Sequence, residues 1–334
     1  MQVTLDTMVD TLKAAAESSR LRILALVAHG DLTVSDLTEI LAQSQPRVSR
    51  HLRLLLEAGL IARAQEGSWA YFRLADSDSV REFVGSLVSR VHRGDPQIAR
   101  DLERLAGVKR RRQERAAAYF ARNADAWDRI RSLHVPEAAV EGAILAAVGN
   151  RPIQSMLDLG TGTGRLLEIL APVYRRGVGV DMSREMLSVA RANLDRAGVN
   201  HAQVRQGDIY APPVERDGFD LVTIHQVLHY LDDPRLAVIE AAKLLRPSGR
   251  VVIVDFAPHG LEFLRDAHAH ARLGFSDRQI SEWLAEAGLE MGETLAFEPG
   301  VADGAGLTVK LWTATDRRLL VANGNPADNR RESA

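Results

Sequence analysis

Acidic residues and glycines between positions 157 and 208 have the types and the spacing that could hold a nucleoside. The segment 157–164 reads Leu-Asp-Leu-Gly-Thr-Gly-Thr-Gly, an apolar run that ends in three alternating glycines. Glycines allow a sharp turn and a close approach of the backbone to a ligand. Asp181 ends a second apolar run, 21 residues after Gly160, where a carboxylate can accept hydrogen bonds from two ribose hydroxyls. The pattern therefore predicts a nucleotide pocket at the carboxyl ends of parallel strands.

The spacing of the glycines narrows the choice of nucleotide. A dinucleotide-binding turn reads G-x-G-x-x-G, whereas this turn reads G-x-G-x-G and has Asp158 two residues before its first glycine. We therefore do not expect NAD. With these residues, Asp208 and the later segments 218–224 and 245–255, the chain from about 116 to 315 resembles the class I S-adenosylmethionine-dependent methyltransferase family.

This resemblance implies a Rossmann-like α/β domain with a mostly parallel sheet, which binds S-adenosylmethionine or S-adenosylhomocysteine. It places the glycine turn against the methionine and ribose, Asp181 against the ribose hydroxyls, and Asp208 with Ile209 against the adenine. The expected cofactor-binding residues are Asp158, Gly160, Thr161, Gly162, Gly164, Asp181, Met182, Asp208, Ile209 and His225.

A catalytic residue for methyl transfer stays unknown from the sequence, because a sulfonium donor is already reactive and positioning can do much of the work. His225 and His229 follow the predicted fourth strand and are candidates for a general base. A lone histidine is more often structural than catalytic, and this alternative applies to both of these residues and to His259, His268 and His270. Their spacing matches no metal-binding pattern.

Residues 44–60 have the pattern of a DNA-recognition helix. Ser44 can cap it, Pro46 lies in its first turn and Gly59 ends it. Val48 lies on the apolar stripe, while arginines repeat on the opposite side and could contact phosphates and guanine edges. The predicted DNA contacts are Gln45, Arg47, Ser49, Arg50 and Arg53 on this helix and Arg63 in the hairpin that follows.

The helices before this segment and the hairpin at 60–74 complete a winged helix-turn-helix. Over residues 5–92 the chain is very similar to the ArsR/SmtB family of bacterial repressors. The resemblance implies a double-stranded DNA operator as partner, and a homodimer formed through the helices around 5–17 and 77–93. The net charge of the chain gives no support for DNA binding, because 42 basic residues oppose 44 acidic ones. Only a local basic patch can attract DNA.

Metal sensing, which is common among such repressors, is not expected. The chain has no cysteine, and Thr33 and Ser35 stand where the family often has thiolate ligands. The lack of cysteine is compatible with a reducing cytoplasm. Since the chain also has no stretch of 18 uninterrupted apolar residues and no signal-peptide core, we expect a cytoplasmic protein without a membrane partner.

The sequence divides into four parts. We expect a winged-helix domain at 1–94, a helical connector at 95–121, a methyltransferase-type domain at 122–315 and a largely disordered tail at 316–334. The basic run 109–112 in the connector could contact DNA phosphates or form a solvated helix face. Tyr119, Phe120 and Trp127 could wall the cofactor site or pack in the core.

Three functions fit this organisation. The first is a regulator that responds to a small adenosyl ligand and retains methyl transfer. The second is a small-molecule methyltransferase with an autoregulatory DNA-binding domain. The third, a DNA methyltransferase, is disfavoured, because residues 224–227 read Ile-His-Gln-Val where an amine-modifying enzyme has Asn/Asp-Pro-Pro-aromatic, and a cytosine enzyme would need a cysteine.

Overall fold

The computed structural model describes residues 4–66, 69–75, 77–92, 94–124, 137–149, 151–298 and 307–318. Within these ranges, a helical N-terminal part with a small sheet precedes a C-terminal part built on one large sheet. Trp127, the hairpin tip at 67–68 and the tail from 319 onward lie outside the described residues.

The N-terminal part folds as a winged helix-turn-helix. Its elements are α1 (Leu5–Ala15), α2 (Ser18–Val27), β1 (Leu32–Thr33), α3 (Val34–Leu41), α4 (Gln45–Glu57), β2 (Ile61–Glu66), β3 (Trp69–Leu74) and α5 (Asp78–Ser89). Strands β2 and β3 form the hairpin predicted from the sequence, and β1 pairs antiparallel with the other edge of β3. Thr33 begins α3 with a capping box, in which Thr33 and Asp36 each satisfy the other's backbone N–H.

Helix α4 begins differently from the prediction. Ser44 stands at the N-cap position, but its side chain makes no capping hydrogen bond to any described residue. Instead, Val48, Leu52 and Leu55 are buried in a core shared with α2 and α3. Burial of this apolar stripe, together with Pro46 in the first turn, therefore accounts for the helix without a side-chain cap.

A 28-residue helix, α6 (Pro96–Asn123), connects the two parts. Asp95 caps it by accepting hydrogen bonds from the backbone N–H groups of residues 97 and 98. Leu105 and Val108 on its first half are buried in the core of the winged helix. The guanidinium of Arg22 on α2 binds both carboxylate oxygens of Asp101, at 2.5 and 2.7 Å, and both side chains are buried.

Three residues of the basic run 109–112 on α6 contact the winged helix, while Arg110 and Arg111 are largely exposed, in keeping with the solvated-face alternative. Lys109 donates to the backbone oxygen of His29 at 2.8 Å. Arg111 pairs with Glu39 of α3, and Arg112 pairs with Asp36 at the start of the same helix. The acids that neutralise these cations are distant in sequence, which is why charge patterning along the chain did not reveal them.

The C-terminal part alternates strands and helices. Its elements are α7 (Glu137–Val148), β4 (Ile153–Leu159), α8 (Arg165–Ile169), β5 (Tyr174–Asp181), α9 (Arg184–Arg196), β6 (Ala202–Gln206), β7 (Phe219–His225), a 3₁₀ turn (Leu228–Tyr230), α10 (Pro234–Leu244), β8 (Leu245–Phe256), α11 (Phe263–Ala267), α12 (Asp277–Glu286), β9 (Leu289–Phe297) and β10 (Val309–Asp316).

In the described part of the chain these strands form a seven-stranded sheet of order β6-β5-β4-β7-β8-β10-β9. Neighbours from β6 to β8 are parallel, which confirms the predicted mostly parallel α/β fold. The predicted strand near 308 is β10, and it is antiparallel to both neighbours. The connection from β9 is too short for the crossover that a parallel pair requires.

The strand order reverses between β4 and β7, so their carboxyl ends leave a crevice in which open α/β sheets bind ligands. Successive residues of the central strands are buried on opposite faces of the sheet, with Leu157 and Val222 in one core cluster and Met156 and Leu221 in the other. Both faces are thus covered by helices. None of the described helices has the length and apolar content needed to cross a membrane.

The glycine turn after β4 depends on a close contact at its first residue. Gly160 has a φ of 72°, and a Cβ there would lie 2.4 Å from a methyl group of Val227. We predict that Gly160→Ala lowers the free energy of unfolding by about 2–4 kcal/mol, because backbone strain and overpacking add. Urea denaturation measures this change.

Gly198→Ala is the matched control, since Gly198 has a φ of 69° and no described atom lies within 4 Å of its missing Cβ. Gly198→Ala should lower the free energy of unfolding by the backbone strain alone, which is about 1–2 kcal/mol. Adding Val227→Ala should restore part of the loss in Gly160→Ala. Equal losses at the two glycines would contradict the packing argument.

Candidate functional site

A pocket opens at the carboxyl ends of β4, β5 and β7, where the strand order predicts a ligand. It brings together nine of the ten residues that the sequence assigned to the cofactor. Those nine are Asp158, Gly160, Thr161, Gly162, Asp181, Met182, Asp208, Ile209 and His225. The tenth, Gly164, faces helix α9, since a Cβ on it would lie 3.2 Å from the Cβ of Ala190.

The carboxylate of Asp181 is fixed by the backbone. One oxygen accepts the N–H of Gly162 at 2.9 Å, and the other accepts the N–H of Ser183 at 2.8 Å. Burial raises the pKa of Asp181, against the backbone N–H donors that lower it. Each oxygen keeps a lone pair, so the side chain can still accept hydrogen bonds from two adjacent hydroxyls.

The other two carboxylates of the pocket are held in different ways. Asp158 is buried and accepts a hydrogen bond of 2.6 Å from the hydroxyl of Thr223 on β7. Asp208 accepts the backbone N–H of Tyr210 at 3.0 Å. Met182, in contrast, leaves half of its surface exposed beside them. An exposed apolar side chain between acidic groups suits a ligand that has both a flat ring and polar hydroxyls.

Asp181 offers a direct test of whether the pocket fits such a ligand. Its two carboxylate oxygens are held by backbone N–H groups and keep lone pairs for two adjacent hydroxyls. The hydroxyl oxygen of Thr161 has no hydrogen-bond partner among the described residues, but it is shielded from the pocket and lies beside Gly179. The carboxylate of Asp181 therefore fits the ribose of an adenosyl compound.

Sequence analysis considered Phe120 for the wall of the cofactor site but missed the other residues of that wall. Arg112 and Phe120 on α6, and Tyr230 and Asp232 after β7, line the same pocket. The rings of Phe120 and Tyr230 meet edge to face, with centroids 4.7 Å apart. Only the tertiary fold brings the connector to this edge of the sheet. The sequence had offered aromatic residues between 119 and 127 as a possible wall of the cofactor site.

One residue of the pocket has a strained backbone. Gln226, directly after β7, has a φ of 53°, although it is not a glycine, and its backbone N–H donates to the oxygen of Val254 at 2.7 Å. Strained residues held by their surroundings are concentrated at functional sites. The strain turns the chain from β7 into the 3₁₀ turn that carries Tyr230.

The two histidines proposed as bases lie in different places. His225 lines the pocket. His229 is buried behind it, where its Nδ1 lies 2.8 Å from a carboxylate oxygen of Asp255 and its ring packs on His270. This position favours a structural role for His229, which leaves His225 as the candidate.

The remaining histidines belong to the same aromatic cluster. Burial, followed by the nearby His229, lowers the pKa of His259 to about 4, so this imidazole is neutral near pH 7. The Nδ1 of His268 lies 2.7 Å from the hydroxyl of Tyr119, and His270 stacks on Phe256. Within the described ranges, no three His, Asp or Glu side chains are arranged to hold a metal ion.

The predicted DNA-contacting residues all lie at the surface of the winged helix. Five lie on α4 and one on β2, and all six are exposed: Gln45, Arg47, Ser49, Arg50, Arg53 and Arg63. Arg53 lies 3.9 Å from Glu57, and Arg63 donates to the side chain of Gln65 at 2.7 Å. The surface therefore presents arginines on a helix, a form that can enter a major groove.

Two family models match the chain in separate segments. The model described as a methyltransferase domain matches residues 157–253, which include the pocket strands. The model described as bacterial regulatory protein, arsR family, matches residues 17–63, which include α2 to α4. Both resemblances expected from the sequence are therefore confirmed.

Individual proteins are similar to one part of the chain or the other. The uncharacterized methyltransferase YcgJ of Bacillus subtilis is 31% identical over 154 residues, which make up 43% of this chain and 59% of that protein. The solved structure of YcgJ has a TM-score of 0.47 at 21% identity, and the match covers 54% of this chain and 98% of that one. The chain spans between 33% and 61% of the length of the first curated relatives it matches.

The N-terminal part matches a relative over most of that relative's length. The arsenic resistance transcriptional regulator ArsR1 of Pseudomonas putida is 36% identical over 107 residues, which make up 31% of this chain and 82% of the regulator. Because this regulator is 36% identical and is matched over 82% of its length, the chain belongs to the arsR family of bacterial regulatory proteins, and it carries a methyltransferase domain after the family's helix-turn-helix.

Proposed function

We propose that this protein is a DNA-binding transcriptional regulator whose C-terminal domain binds S-adenosylmethionine or S-adenosylhomocysteine. One observation carries the proposal: helix α6 belongs to both parts of the molecule. Leu105 and Val108 on its first half are buried in the winged-helix core, whereas Ala116 and Phe120 on its second half line the pocket. A ligand in the pocket therefore touches the helix that supports the DNA-binding domain.

The chemistry of the pocket supports an adenosyl ligand. The two oxygens of Asp181 would hold the ribose hydroxyls, Asp208 and Ile209 would bind the adenine, and Asp158 with Thr161 would face the amino-acid end. Met182 would cover the adenine ring. We keep the predicted division into a winged helix at 1–94, a connector at 95–121 and a ligand-binding domain at 122–315.

Asp181→Asn should weaken the binding of S-adenosylhomocysteine about 30-fold, as measured by isothermal titration calorimetry. The amide cannot accept both backbone N–H groups and both ribose hydroxyls, and a hydrogen bond to a charged group contributes about 2 kcal/mol.

Asp220→Asn is the matched control. Asp220 also accepts two backbone N–H groups, from Gln154 and Ser155 at 2.8 and 2.9 Å, but at the opposite edge of the sheet. It should lower the free energy of unfolding and leave the affinity for the adenosyl compound unchanged. Wild-type affinity in Asp181→Asn would contradict the assigned ribose contact.

The exposed arginines of α4 support DNA as the partner. In a helix-turn-helix the second helix lies in the major groove, and a dimer reads two half-sites. Symmetry then predicts a palindromic operator whose half-sites are about one or two helical turns apart, or about 34 Å per turn. Bacterial DNA lies in the cytoplasm, which is the compartment we propose for this protein.

Arg50→Ala should weaken operator binding by about 1–3 kcal/mol if Arg50 reads a base, as measured by fluorescence anisotropy. The probe is a labelled duplex that the wild-type protein selects from a random-sequence library. Arg196→Ala, which removes the same charge from an exposed position on α9, should leave the dissociation constant unchanged at fixed ionic strength. Equal effects of both variants, or failure of the wild type to enrich any duplex, would refute the assigned helix.

Helix α1 supports a homodimer. Its apolar side chains Leu5, Met8, Val9 and Leu12 recur at helical spacing on one face and are between 38% and 79% exposed. Such a stripe on a surface helix is usually covered by a partner. A second copy of the chain is the partner we propose, because two winged helices must be paired to read a palindrome.

Leu12→Glu should convert the dimer into a monomer in sedimentation velocity, because it puts a charge into an apolar interface. Thr7→Glu adds the same charge on the opposite face of α1, where it lies three residues after the Thr4 cap and completes a capping box. This control should remain a dimer. A dimer of unchanged stability in Leu12→Glu would exclude α1 from the interface.

Methyl transfer to a small molecule is the second activity we propose. When bound, S-adenosylmethionine supplies an electrophilic methyl group on sulfur. The aromatic pair Phe120 and Tyr230 could orient an acceptor ring, and His225 could remove a proton from it. Burial holds the pKa of Tyr230 well above its usual value, so its hydroxyl stays protonated and can donate a hydrogen bond. Release of S-adenosylhomocysteine in the presence of candidate acceptors distinguishes a transferase from a pure sensor.

A further inference from the structure

We infer that Asp232, on the pocket wall, is the residue through which ligand binding is coupled to the DNA-binding domain. The inference rests on the proposed function and names the contacts that would carry its regulation. Two arginines hold Asp232, and each of them also holds an aspartate of the winged helix. The pocket and the helix-turn-helix are thereby joined through two short chains of polar contacts.

The first chain runs through the side chain of Asp232. Arg112 of α6 donates to its carboxylate at 2.9 Å and, with its other terminal nitrogen, to the carboxylate of Asp36. The side chains of Arg112, Asp232 and Asp36 are 26%, 10% and 12% exposed, so this charge cluster is largely shielded from water. Burial alone would lower the pKa of Arg112, but the two carboxylates outweigh it and raise that pKa.

Asp36 links this cluster to the fold of the helix-turn-helix. The same carboxylate oxygen that accepts from Arg112 also accepts the backbone N–H of Thr33 at 2.8 Å and its hydroxyl at 2.7 Å. The bond from the Thr33 N–H is one half of the capping box that begins α3, the helix that precedes the recognition helix α4; the other half is the Asp36 N–H donating to the Thr33 hydroxyl oxygen at 3.2 Å. A shift of Arg112 therefore changes the charge balance at the start of α3.

The second chain runs through the backbone of Asp232. Arg272 donates to its carbonyl oxygen at 2.8 Å and to the carboxylate of Asp31, just before β1, at 3.1 Å. Its guanidinium also lies 4.2 Å from the ring centre of Tyr71 on β3, the second strand of the wing hairpin. Arg272 is only 3% exposed, so the contact is a built part of the interface.

The loop that carries Asp232 is also the loop that a ligand would touch. Gln226, Val227, Tyr230 and Leu231 line the pocket immediately before Asp232. The backbone oxygen of His229 in this loop accepts the N–H groups of Ala271 and Arg272, both at 2.9 Å. A ligand that moves the loop would shift Asp232 away from Arg112, which is anchored with α6 in the winged helix, and would carry along Arg272, whose backbone is bonded to the loop. Binding then favours one arrangement of the two domains, which is the condition for coupling.

The test removes one charged group from each series of polar contacts. Both groups lie in the winged helix, away from the pocket and from α4. Asp31→Asn and Asp36→Asn, singly and together, keep the shape of the side chains and remove their charges. The coupling factor is the ratio of the dissociation constants for the selected duplex with and without saturating S-adenosylhomocysteine. Calorimetric titration of S-adenosylhomocysteine with and without the duplex must return the same factor.

Glu39→Gln is the matched control. Glu39 also lies on α3 and also pairs with an arginine of α6, but this arginine is Arg111, and both side chains are more than half exposed. Removing this charge should leave the coupling factor at its wild-type value. Thermal unfolding of each variant shows whether it is folded, and Asp31→Asn leaves the cap of α3 intact if Asp36→Asn disrupts it.

We expect a coupling factor of at least about 5 in the wild-type protein. In the double variant the coupling factor should lie within about twofold of one, while the adenosyl compound still binds. A double variant with the full wild-type factor would overturn the inference and leave the proposed function standing. A wild-type protein that binds both the duplex and the adenosyl compound without coupling would also overturn it. A wild-type protein that binds no adenosyl compound would instead refute the proposed function itself.

Discussion

The structure depends on the packing of one helix, α6, into two different environments. Its first half is fixed to the winged helix by buried Leu105 and Val108 and by the bidentate pair between Arg22 and Asp101. A buried pair of this kind contributes little net stability, but losing one partner would leave a costly unpaired charge, so it fixes the helix in one position. Because α6 is continuous, its second half can reach the pocket only in one orientation.

Carboxylates with similar local chemistry have different roles in this fold because of where the sheet places them. Asp181 and Asp220 each accept two backbone N–H groups. Asp181 ends β5, at the carboxyl edge where the strand order reverses and the crevice opens. Asp220, near the start of β7, ties that strand to β4 at the other edge. Position along a parallel strand therefore separates a ligand-facing acid from a structural one.

The histidines illustrate how far residue type alone can mislead. Five of the ten histidines lie between 225 and 270, and His225 and His229 among them were candidates for a general base. Most of them pack in one aromatic cluster around His229 and His270. Burial in that cluster keeps His259 neutral. Of the two candidate bases, His225 alone reaches the pocket, because it ends a strand whereas His229 follows the strained turn at Gln226.

The sequence by itself determined the winged helix, the mostly parallel sheet and nine of the pocket residues, because those features depend on local patterns. A glycine turn after an apolar run can be recognised within a few dozen residues of sequence, and so can an arginine face opposite a buried stripe. The tertiary structure decided which distant charges meet. Arg112, which the sequence placed in a basic run, lies between Asp36 and Asp232, 76 and 120 residues away. Such pairs depend on how the two domains pack on α6, and a pattern within a short segment of sequence cannot predict that packing.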